Sequence, residues 1–121
     1  MQKSDWNQKM DTALIDVASI NSALESNLKM IQLKAMFKIV QLGLFDDRTI
    51  AFLQNISTRF EKDKDQIMGV YMLGHFSIAT LFEICNRNND VNVYKSIFEN
   101  LDEDSQRQVK FLIESKSLFQ S

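Results

Sequence analysis

The chain has no proline and only three glycines among its 121 residues. A β-sandwich or barrel needs a turn-former at nearly every strand reversal, so this scarcity argues against both. The glycines are also too few and too far apart for a phosphate-cradling loop of the dinucleotide-binding or P-loop type. A single cysteine, Cys85, excludes an internal disulfide framework. With a single histidine, His75, it also leaves almost no way to assemble a protein-built zinc site. Neither sign of charge dominates: 14 basic side chains stand against 16 acidic ones. Phosphate neutralisation supplies most of the affinity for nucleic acid, so a DNA- or RNA-binding role begins without its usual support. No apolar core follows a basic start at Met1–Asp5, so the reading is of a cytoplasmic protein.

Hydrophobic residues make up 45% of the chain, enough for one core, and the length suits a single domain over 1–121. Their spacing is helical. Trp6, Met10, Leu14, Val17, Leu24, Leu28 and Ile31 follow one face, with Ser4 as its cap. The pair Ser26-Asn27 leaves open whether residues 5–42 form one helix or two. Leu28–Leu42 is apolar around most of its circumference, with a thin polar stripe at Lys34, Lys38 and Gln41. Such a helix is mostly buried. Gly43 then fits the left-handed position that ends a helix, with Leu44 folding back. Asp46 or Asp47 caps a helix running to about Glu61, and Lys62–Asp65 reads as a charged connector. A long helix is expected from Gln66 to Asn86, then a polar loop at Arg87–Asp90, a short helix, and a last helix opened by Asp102-Glu103-Asp104. The expected fold is therefore an all-α, single-domain bundle of five or six helices. Leu28–Leu42 and Ile67–Cys85 are its most buried helices, and Ile31, Leu73 and Leu81 belong to its core.

Chemical motifs are mostly excluded by spacing. On one helix, His75 and Cys85 stand about 15 Å apart along the axis and about 80° apart around it, so they do not meet. The carboxylates at Asp46-Asp47, Asp63/Asp65 and Asp102–Asp104 fall where helices begin, and there they satisfy free N–H groups and the helix dipole. Glu61-x-Asp63-x-Asp65 fails as a calcium loop, because Gln66 replaces its glycine and Met72 its final glutamate. Ile67–Cys85 approaches membrane-spanning length, but Glu83 is costly in lipid and the flanks lack basic asymmetry. No membrane span, metal or cofactor is expected, and no small-molecule site is evident.

Two functional alternatives survive in weakened form. Leu42–Ala51 faintly resembles the turn of a helix-turn-helix, giving a degenerate DNA-binding motif near residues 35–61. Its recognition segment, Ser57–Asp63, carries as many acids as bases, and DNA binding would need a patch of Lys29, Lys34, Lys38 and Arg48. An atypical enzyme would have to use His75, which has no carboxylate near it in sequence.

What is abundant is aromatic and methionine surface: nine Phe and six Met. Phe45, Phe52, Phe111, Leu118 and Phe119 fall off the main apolar stripes. They are the candidate partner-binding residues, with Phe111 and Leu118 forming a second face on the terminal helix. The expected function is that of a small, non-enzymatic protein that binds a partner protein or a second copy of itself. An inhibitor, chaperone, regulatory adaptor, or immunity or antitoxin-like protein fits by size and class alone.

Overall fold

A computed structural model describes residues 16–87 and 92–115. The first described helix, α1 (Val17–Glu25), starts from Asp16, whose carboxylate accepts the Ser19 N–H while the Ser19 hydroxyl accepts the Asp16 N–H. This reciprocal cap satisfies two donors that a helix end leaves open. Asn27 then adopts a left-handed conformation, φ 65°, which breaks the helix. The apolar stripe does not continue in phase across the break: Leu28 is 57% exposed.

Helix α2 (Lys29–Leu42) ends as its sequence indicates, on Gly43 at φ 68° with its N–H on the Ile39 carbonyl. Leu44 returns to the core. The buried stripe of α2 runs through Gln32, Leu33, Ala35, Met36 and Ile39. Ile31 lies beside this stripe and is only half-buried, so its place in the core is corrected. Helix α3 (Asp47–Ile56) carries a second reciprocal cap, between Asp46 and Thr49. Buried Asn21 on α1 donates to Asp46 and accepts from the Thr49 hydroxyl at 2.6 Å, tying the start of α3 to α1. Helix α3 stops at Ile56, short of the expected Glu61. The Ser57 hydroxyl turns back onto the Leu53 carbonyl, and the chain leaves the axis.

Residues Lys62–Asp65 form a single helical turn, α4, and not a plain connector. Asp65 is buried. It accepts from the Arg59 guanidinium at 2.9 Å and from the N–H of Glu61, the residue that precedes α4, so it both satisfies a donor at this helix start and ties the turn to Arg59. The long helix expected from Gln66 is also corrected. Residues 66–72 form a small antiparallel hairpin, β1 (Gln66–Met68) and β2 (Tyr71–Met72), with Met68 opposite Tyr71. Gly69 takes φ 53° at the first turn position, as a two-residue reversal demands.

Only then does α5 (Leu73–Arg87) begin. Every residue from Leu73 to Leu81 is buried, followed by Ile84 and Cys85. Helix α5 is the axis of the molecule, packed by α2, α3, α6 (Asn92–Glu99) and α7 (Glu103–Ser115). Arg87, expected in a loop, is its last residue and donates to the Val40 carbonyl of α2. Asp102 accepts the Ser105 N–H and opens α7, whose Val109 and Leu112 are buried. The fold is all-α apart from the hairpin, with seven helices among the described residues where five or six were expected. Its core is one cluster running from Ile20 to Leu112. None of the described helices is long and apolar enough to cross a membrane.

Candidate functional site

The hairpin sits at one end of α5, beside α7, and exposes much of its apolar surface. Met68 is 49% exposed, Val70 57%, and Phe111 on α7 55%. The Tyr71 ring joins the two elements: it stacks on Phe111 at 6.0 Å and meets Phe76 and His75 edge-on beneath. Aromatic pairs at these separations favour such offset and edge-on arrangements. The helical spacing of α7 explains Phe111. Val109 and Leu112 turn inward, which rotates Phe111 toward the hairpin and the solvent.

His75 holds this end together from below. Its residue is only 2% exposed. Its Nδ1 accepts the Met72 N–H at 2.9 Å, so the ring proton resides on Nε2, which faces the Ser105 hydroxyl at 3.3 Å. Hairpin, α5 and α7 thus meet on one imidazole. Burial pushes the His75 pKa down to about 4, opposed in part by the nearby Asp102 carboxylate. Asp102 itself is held below the usual carboxylate range, chiefly by the Ser105 N–H and then by the Ser105 hydroxyl. The order Asp102, Ser105, His75 superficially suggests a hydrolytic triad. The proton placement is reversed: the Nδ1 lone pair is committed to backbone and Nε2 donates, so this ring has no free base to turn on Ser105. His75 and Cys85 lie on the same helix, ten residues apart in sequence, which separates them by about 15 Å along its axis.

Of the other sequence-derived candidates, Phe45 and Phe52 are half-buried against the core. Phe52 has the Arg48 guanidinium 5.7 Å from its ring centre and belongs to the α1–α3 side. Leu118 and Phe119 lie outside the described residues, as do the Ser4 cap and Asp90. Within Ser57–Asp63, the segment a DNA-reading helix would have to occupy, residues 57–61 are turn and irregular chain, and only the single turn of α4 begins at Lys62. Among the described residues no group of three or more His, Cys, Asp or Glu side chains converges as a metal site would require.

Met68, Val70 and Tyr71 were missed by sequence reasoning, because a hairpin hidden in a helical pattern hides its surface too. The available signal was Met68-Gly69-Val70-Tyr71, a glycine followed by a β-branched and an aromatic residue. Comparison with protein-family models, curated proteins and solved structures found no match to this chain.

Proposed function

We propose that this is a non-enzymatic binding protein that engages a partner protein through the surface formed by Met68, Val70, Tyr71 and Phe111. The observation that carries the reading is the exposure of Phe111 and Val70 on a preformed, internally braced platform. Exposed apolar clusters of this kind mark contact surfaces. Fixed aromatic side chains lose little entropy on docking, which suits them as anchors. The half-exposed side chains alone supply less than the roughly 800 Å² per partner of a standard interface. The rim therefore comes from polar residues on the same face of α7, where Arg107 and Glu114 flank Phe111 by one turn. Inhibition, immunity against a toxic partner, chaperoning and adaptor function all work by such docking.

Phe111→Ser combined with Val70→Ser is expected to weaken association with the captured partner by about 2 kcal/mol or more. The fold should persist, because both side chains are largely in solvent. The measurement is calorimetry on the partner identified by affinity capture, with circular dichroism as the folding control. Undiminished binding by the double variant removes this surface from the function. Concentration-dependent self-association in the ultracentrifuge, abolished by the same pair, replaces the partner with a second copy of the chain.

A further inference from the structure

Beneath the surface around Phe111, the hairpin is held by a contact that exists only while one ring is neutral. Met72 is the last residue of β2 and stands immediately before α5, whose third residue is His75. The His75 Nδ1 accepts the Met72 N–H at 2.9 Å, the same reach-back that glutamate or glutamine makes from this position of a capped helix. A protonated imidazole has no lone pair and cannot accept that bond. A positive charge in the first turn of α5 also opposes the helix dipole. The strands cannot hold the position by themselves: they are three and two residues long, and an isolated two-stranded hairpin is marginal in water. Around the ring, the hairpin brings Tyr71 edge-on at 6.3 Å, and the segment before α4 brings Phe60 at 4.9 Å. Arg59, beside Phe60, turns its guanidinium to Asp65. Helix α5 carries no charged side chain from Phe76 to Phe82. The start of α7 brings the Ser105 hydroxyl at 3.3 Å and the Asp102 carboxylate, whose field favours an imidazolium.

We propose that His75 is an acid-operated latch: on gaining a proton its ring releases Met72 and turns to Asp102, and the hairpin parts from α5 and Phe111 while the core stays folded. On the reading of Met68, Val70, Tyr71 and Phe111 as a docking surface, on which this rests, acid takes that surface apart and frees its partner. One side chain has two sets of partners: neutral, it serves the Met72 N–H and Ser105; charged, it serves Asp102. The closed form holds the ring at a pKa of about 4 against an ordinary value of 6.5. Protons therefore bind the open form first, and opening grows easier as pH falls through that interval. The core is spared because α5 is buried from Leu73 to Leu81 and packed by α2 and α3, which do not depend on the hairpin.

Amide hydrogen exchange of the full chain, followed by NMR and corrected for intrinsic rates, tests the latch without the partner. Protection of the Met72 amide is expected to fall about 20-fold from pH 7 to pH 5. The Leu81 amide should stay at least about tenfold better protected at both pH values, as a local opening requires. His75→Gln keeps an acceptor at the same capping position and removes the titrating group, so the fall should vanish. Asp102→Asn keeps the cap of α7 but withdraws the carboxylate that receives the imidazolium, so the fall should shrink; it decides the matter if His75→Gln does not fold. Met72 protection that ignores pH overturns the latch, as does a fall of full size in both variants. Met72 protection equal to that of Leu81 also overturns it, because the hairpin then opens only with the whole fold. Exchange reads the free chain, whereas Phe111→Ser with Val70→Ser reads docking, so failure of the latch and failure of the docking surface are told apart.

Discussion

His75 is a neutral imidazole that joins three elements with two nitrogens, and its burial makes it a pH-dependent strut. The folded form holds the ring near a pKa of about 4, against an ordinary value of 6.5. The unfolded chain therefore binds the proton first as pH falls, and stability is lost between about pH 6.5 and pH 4. Above that window the contribution is complete; below it, no further loss comes from this group. About 2 kcal/mol should disappear between pH 7 and pH 5, a range above the titration of the lowered Asp16, Asp46 and Asp102 carboxylates. Urea unfolding at the two pH values checks this, and His75→Gln should flatten the difference. Gly74 is constrained by space. A Cβ there would lie 2.7 Å from the Phe60 ring and 2.8 Å from the Arg59 carbonyl oxygen, the same oxygen that accepts the Gly74 N–H. Gly74→Ala should cost about 1–3 kcal/mol, the range of overpacking, in chemical denaturation. Its backbone acceptor cannot swing aside as a flexible side chain would.

At the scale of elements, the hairpin is the feature with most consequence for function. Gly69 has nothing within 4 Å of where a Cβ would stand, so its requirement is conformational. Gly69→Ala should cost about 1–2 kcal/mol through the left-handed backbone, with the loss seen first as hydrogen exchange at Gln66–Met72, while α5 stays protected. Two other helix limits were legible. Gly43 and Asp46 mark their boundaries through local chemistry, a left-handed stop and a side-chain cap. The start of α5 was not legible, because Gln66–Met72 has helical spacing and strand composition together. Tertiary contacts chose between them: the Lys29 ammonium donates to the Gln66 carbonyl, and His75 takes the Met72 N–H. Asp65 likewise read as part of a charged connector before a helix and is buried, because its partner Arg59 is six residues away across a turn.

The whole molecule is organised around α5, and the energetic weight of its residues follows distance from that axis. Leu81→Ala should cost about 2–5 kcal/mol, since Leu81 is fully buried and its removal leaves a cavity. Ile31→Ala should cost clearly less, because Ile31 flanks the core and does not fill it. Equal losses at the two positions in chemical denaturation would place the core differently from the structure. Function follows the same geometry. Phe111 could be singled out from helical phase alone, since Val109 and Leu112 fix the inward direction. Its neighbours Met68, Val70 and Tyr71 could not, because they are brought to α7 by a reversal some forty residues earlier in the chain.

Composition and periodicity by themselves determined the helical class, the dominant buried segments, the helix starts at Asp46-Asp47 and Asp102–Asp104 and the stop at Gly43. Each of these depends on interactions within a turn or two of the residue concerned, so neighbouring letters carry the information. The tertiary structure alone decided that residues 66–72 are a hairpin, that Ile31 is peripheral, that Asp65 is buried, and that Phe111 stacks on Tyr71. Those outcomes depend on partners distant in sequence, whose burial and hydrogen bonds outweigh differences in local propensity of about 1 kcal/mol or less per residue.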